Sequence, residues 1–145
     1  MTGFEGFDHA DVRVTDLAAV EPFYDRLMPL IGLPQKRRAF VDEQGDWRAP
    51  VQGERENVVE YYEADGKGAR FCGIIEDRAT PTTRTRIAFR LPHGTDWRTM
   101  PDVLAQIGAR SVELAADPQA YQAIFFEDPV GTRLEVCWRH HEPSR

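Results

Sequence analysis

Two stretches of the chain alternate apolar and polar residues with the period of a strand. In the first, Ala10, Val12 and Val14 point one way, and Phe7, His9, Asp11 and Arg13 the other. In the second, Ile87, Phe89 and Leu91 share one face, and Arg84, Arg86 and Arg90 the other. Each stretch is followed by a helical stripe. Leu17, Val20, Tyr24, Leu27 and Ile31 form the first, with Asp16 placed to cap it and Gly32 to stop it. Met100, Val103, Leu104 and Ile107 form the second, with Thr99 and Asp102 at capping-box spacing and Gly108 at its end. Pro22 and Pro29 fall inside the first stripe, so either Pro22 opens the regular helix after a short turn or the helix is kinked.

Three strands are expected after each helix, near residues 36–41, 57–62 and 69–75, and near 111–114, 121–127 and 132–138. A long polar loop, 42–56, separates the first two and carries Trp47 and Pro50. Such a loop is a site cover or a surface excursion. The order strand, helix, three strands thus occurs twice, over about 5–80 and 81–140 of one 145-residue domain. The interval from His9 to Gly32 nearly equals that from Arg86 to Gly108. Further on, Tyr61-Tyr62-Glu63 aligns with Phe125-Phe126-Glu127, and Gly68-Ala69-Arg70-Phe71-Cys72 with Gly131-Thr132-Arg133-Leu134-Glu135.

Composition narrows the function. The net charge of -6, with no basic stripe, argues against nucleic acid as a partner. No apolar run reaches membrane-spanning length, and the N-terminus does not read as a signal peptide. Cys72 and Cys137 read as free thiols in a reducing, cytoplasmic setting.

Three segments resemble the vicinal oxygen chelate superfamily of glyoxalases, extradiol dioxygenases and bleomycin-resistance proteins. They are Phe7-Asp8-His9 with Asp16-Leu17, Phe23-Tyr24 and Leu30-Ile31-Gly32; Ile87-Ala88-Phe89; and Phe126-Glu127-Asp128-Pro129-Val130-Gly131-Thr132-Arg133-Leu134-Glu135. The last is the most specific. The resemblance implies an α+β fold, with two βαβββ modules forming a curved open sheet around a central cavity. In the metalloenzymes of the superfamily, the first and last strands of each module supply the ligands of a divalent metal.

His9 stands at the first-strand ligand position and Glu135 at the last-strand position. A neutral imidazole and a carboxylate suit zinc, nickel, iron or manganese. The structural alternatives are a partly buried histidine bonded to a neighbour and a surface glutamate. Where the superfamily usually has a second histidine, this chain has Arg86, which has no lone pair to give a metal. The repeat alignment puts Cys72 at the fourth position, as a thiolate ligand or, as we favour, a small buried apolar residue.

The leading expectation is a degenerate metal site without a cofactor. His9, Arg86 and Glu135 would converge in a cavity that binds a polar or anionic small molecule. Arg86 would pair with Glu135 or grip an anion through its planar fork. Arg84, Trp47 and Tyr121 are further candidates for ligand contact, Phe7 for the cavity wall, and Arg13, Arg70 and Arg90 for a basic lining opposed by Asp11. Two alternatives stay open: a metal-dependent lyase, isomerase or dioxygenase using His9 and Glu135, and a non-catalytic drug-binding resistance protein. A homodimer is expected, because a single pair of modules leaves sheet edges exposed. His93, His140 and His141 read as loop or tail residues.

Overall fold

The computed structural model describes residues 7–65, 70–80, 83, 85–92, 94–115 and 122–138. In the first module, β1 (His9–Val14) leads into α1 (Leu17–Leu30), then β2 (Gln35–Ala39), β3 (Val58–Tyr62) and β4 (Phe71–Glu76). The second repeats the order with β5 (Arg86–Arg90), α2 (Met100–Gln106), β6 (Arg110–Leu114), β7 (Ala123–Glu127) and β8 (Arg133–Cys137). Each module folds into its own four-stranded sheet, ordered β1-β4-β3-β2 and β5-β8-β7-β6. The first and last strands of a module pair in parallel, and the other pairs are antiparallel. This is the expected α+β architecture of two βαβββ modules with open sheets.

The alternation seen in sequence sorts the faces. Val12 and Val14 of β1, Val59 and Tyr61 of β3, and Cys72 and Ile74 of β4 pack against Leu17, Val20, Tyr24 and Leu27 of α1 in a single core. The same core takes in Leu104, Ile124, Phe126, Leu134 and Val136 of the second module, with Ile87, Phe89, Val103 and Ile107 at its margin. Burying side chains of this size contributes about 1.5–3 kcal/mol each, before the entropy of ordering them.

The helix α1 starts at Leu17, capped by Asp16, whose carboxylate accepts from the Ala19 N–H at 3.1 Å. It runs through Pro22 and Pro29 as one element, so the expected late start at Pro22 does not occur. The capping box expected at α2 does not form either. Thr99 is at the N-cap in a helical conformation and makes no side-chain cap. Its hydroxyl donates instead to the Asp96 carbonyl at 3.1 Å. Among the described residues, no helix is long and apolar enough to cross a membrane.

The modules meet through a specific polar contact. The buried Tyr24 hydroxyl on α1 donates to the Asp128 carboxylate at 2.9 Å. Asp128 also accepts from the backbone N–H groups of Val130 and Thr132, at 3.0 and 2.8 Å. This explains the Asp-Pro-x-Gly turn: the carboxylate organises the β7–β8 connection and docks it on α1, while Gly131 supplies the positive φ of 95°. Burial, followed by the neighbouring Asp128 charge, raises the Tyr24 pKa well above the usual phenol value.

Candidate functional site

On the face of each sheet opposite the core, strand register lines side chains up in rows. In the first module the rows are His9–Phe71–Tyr62, Asp11–Gly73–Glu60 and Arg13–Ile75–Val58. In the second they are Arg86–Arg133–Glu127, Ala88–Glu135–Phe125 and Arg90–Cys137–Ala123. Matching the two sets makes His9 the counterpart of Arg86 and Gly73 the counterpart of Glu135. The repeat alignment read from sequence is therefore off by one residue in its second half. A slip of one residue moves every side chain to the other face of a sheet. Cys72 accordingly lies in the core, 1% exposed, and burial pushes its thiol up to about 12. It is a small buried residue of the core, not a partner of Glu135 on the open face.

Gly73 leaves room for the Asp11 side chain. A Cβ there would stand 2.4 Å from Asp11 Oδ1. The Asp11 carboxylate thus lies over the central strand, where the second module has the side chain of Glu135. Both sheets carry a carboxylate at mid-face, supplied from different strands.

His9 ends a stack of rings across the first sheet. Its imidazole lies 4.6 Å from the Phe71 ring at an interplanar angle of 2°. Phe71 stacks on Tyr62 at 4.8 Å, and the Arg37 guanidinium lies 5.1 Å from the Tyr62 centroid. His9 Nδ1 is 2.7 Å from Asp8 Oδ2, and Nε2 is 4.0 Å from Asp11 Oδ2. The hydrogen bond to Asp8, with the charges of Asp11 and Glu60, raises the His9 pKa. Tyr62 donates to Glu60 at 2.8 Å, and its hydroxyl is pushed up to about 12, chiefly by desolvation.

In the second sheet, the exposed Arg86 side chain reaches across β8, with its guanidinium carbon 4.5 Å from the Phe125 centroid. Phe125 is the cross-strand neighbour of Glu135, which is 7% exposed. Arg86 and Glu135 therefore share one face and one aromatic neighbour. The groups acting on His9 are the first module's own acids, and a cavity of about 190 Å³ connects it to Ile87, Ala88 and Phe89 of β5. Arg70 and Phe7 line the same cavity. Arg84 and Tyr121 lie outside the described residues.

The 42–56 loop is tied down rather than loose. Asp42 accepts from the N–H groups of Gln44 and Asp46, and Asn57 bonds both backbone groups of Val41. Arg48 grips Glu54 with two bonds of 2.6 and 2.7 Å. The start of the loop borders a groove of about 700 Å³ shared with Arg13, Ile75 and Asp77, at the far end of the same open face. Trp47 bridges to Val41, is 51% exposed, and does not border this groove.

A metal is implied by the resemblance, but the donors here do not fit a three-ligand centre. Arg86 occupies one station and Gly73 another. Among the described residues, no three of His, Cys, Asp or Glu are grouped to hold an ion. Sequence reasoning missed Phe71, Tyr62, Glu60 and Phe125. Alternation along β3 carried the signal, since Val59 and Tyr61 must face the core and so turn Glu60 and Tyr62 to the open side.

No family model and no curated relative matches the chain. Solved structures do. A glyoxalase/bleomycin resistance protein from Albidiferax ferrireducens T118 is 18% identical, with a TM-score of 0.56 over 92% of this chain and 98% of that one. The glyoxalase family protein from Enterococcus faecalis is 14% identical, with a TM-score of 0.56 over 92% and 98%. The fosfomycin resistance protein FosX from Listeria monocytogenes is 13% identical, with a TM-score of 0.56 over 97% and 98%. The chain has the same paired-βαβββ fold as these glyoxalase and resistance proteins.

Proposed function

We propose that this protein binds a small anionic organic molecule between its two open sheet faces, without a metal held by three protein ligands. The observation that carries this is Arg86. It stands at the station equivalent to His9, on the open face, with its guanidinium over Phe125. A guanidinium lying over an aromatic ring can still turn N–H groups toward a carboxylate or phosphate for bidentate recognition. Glu135 beside it would orient the fork, or act as a base toward a bound ligand. His9, with Nδ1 bonded to Asp8, would present Nε2 to the ligand from the opposite wall. Arg90, on the same face as Arg86, adds positive potential, and Arg70 adds it at the His9 cavity.

Calorimetric titration with small carboxylates and phosphonates tests this reading. The native protein should bind at least one class, and Arg86→Gln should weaken it at least about tenfold, the loss expected for a charge-assisted bidentate contact. Equal affinity in both proteins would overturn it. A metal-dependent lyase, isomerase or dioxygenase remains the second reading, because His9 and Glu135 do stand on the first and last strands. A non-catalytic drug-binding protein is a third reading, since a glyoxalase/bleomycin resistance protein is among the structural neighbours. We place the protein in the cytoplasm as a homodimer. Strands β2 and β6 each have one sheet neighbour, and self-association would cover them. Sedimentation showing only a 16.5 kDa species at micromolar concentration would refute the dimer.

A further inference from the structure

We infer that the ligand carries a flat aromatic ring, which enters the cavity between β1 and β5 and continues the ring stack of the first sheet beyond His9. The inference rests on the small-molecule reading above and adds the ligand's chemical class. The stack runs along one row, from Tyr62 on β3 through Phe71 on β4 to His9 on β1. Phe71 covers one face of the imidazole, nearly parallel to it. Among the described residues no other ring lies on His9, and its side chain is 45% exposed. Because β1 is the last strand of its sheet, the next place in the row is not filled by that sheet.

What borders His9 there is the open cavity of about 190 Å³, with Ile87, Ala88 and Phe89 on its β5 side and Leu33 and Cys72 toward the core. Its volume suits one ring, since cavities of about 150 Å³ lined by apolar side chains take up benzene. Ala88 keeps it open. It is the counterpart of Asp11 and presents only a methyl group on the open face. Arg70 lines the same cavity, and Arg86 stands two residues before Ala88 on the open face, so both add positive potential beside a ring seated there. The ligand class is an aryl carboxylate or aryl phosphonate, not an aliphatic acid.

Benzoate and cyclohexanecarboxylate have the same charge and similar bulk, and only benzoate is flat. Titrated by NMR into the native protein, benzoate should bind about three- to tenfold tighter and shift the His9 ring protons upfield. Ala88→Leu should fill the cavity and remove this preference, with the circular dichroism spectrum unchanged. Equal affinities for the two acids, no shift at His9, or a preference that survives in a folded Ala88→Leu protein would each overturn the inference. Arg86→Gln separates the two proposals. If it weakens both acids equally while they bind alike, the anion site stands and the ring site falls. If benzoate keeps its preference and Arg86→Gln changes nothing, the ring site stands and the anion site falls. If the native protein binds neither acid, both fall.

Discussion

The two modules have the same backbone plan and opposite open faces. At the stations where the first carries His9, Asp11, Glu60 and Tyr62, the second carries Arg86, Ala88, Phe125 and Glu127. The first face carries two acids, Asp11 and Glu60, beside stacked rings, whereas the second has arginines around one buried glutamate. The core-facing residues differ far less in kind: Tyr61, Cys72 and Ile74 on one side correspond to Phe126, Leu134 and Val136 on the other. Packing against a helix requires apolar side chains of similar total volume at each station. The open face has no such requirement, so its residues can differ between the modules without cost to the fold.

The comparison can be broken most severely where the modules join. Only the second has an Asp128, which serves its own turn and the first module's Tyr24 at once. Asp128→Ala leaves three donors without their acceptor and should cost about 2–4 kcal/mol in denaturant unfolding, in a single transition. Tyr24→Phe should cost less, about 1–2 kcal/mol. Two separated transitions in the native protein would show that the modules do not share one core.

A smaller effect is expected at the middle rows. Gly73→Ala would put a methyl group where Asp11 now lies. The Asp11 side chain is 36% exposed and can swing aside, so stability should change by less than about 1 kcal/mol. The His9 titration should fall toward the ordinary histidine value as that carboxylate moves away, measured by NMR. An unchanged His9 titration would mean that Asp11 contributes nothing to it.

The smallest effect concerns the loop that only the first module has. Arg48 holds the Glu54 carboxyl down at about 2. A lowered carboxyl contributes its full stabilisation above the unfolded value of 4.5 and loses it as pH falls toward 2. Glu54→Gln should therefore speed hydrogen exchange in residues 42–56 at neutral pH without moving the global unfolding midpoint. Equal exchange in both proteins would show that the pair does not tie the loop.

Much of this was legible in the chain. The facing of β1 and β5 followed from alternation, and the β7–β8 turn from Asp128 and Gly131. The ring stack was not legible, because it joins residues from three strands whose register sequence alone does not set. The repeat alignment failed for a related reason. Tyr61-Tyr62 and Phe125-Phe126 look alike under a shift of one residue, and the connection between the strands is longer in the first module, Tyr62 to Phe71, than in the second, Glu127 to Arg133. Anchoring on the glycines of those turns carried that difference into the strands. Core parity, with Tyr61 matched to Phe126, corrects it.

In the proposed function, Arg86 takes the place of a metal ligand at the open face. Zinc titration calorimetry on tag-free protein tests it most directly, comparing the native chain with Arg86→His. The account predicts no tight one-equivalent binding by the native protein. It predicts a clear gain in the variant, where a ligand replaces a fixed cation that would repel the metal. One tightly bound equivalent in the native protein, abolished by Glu135→Ala, would contradict it.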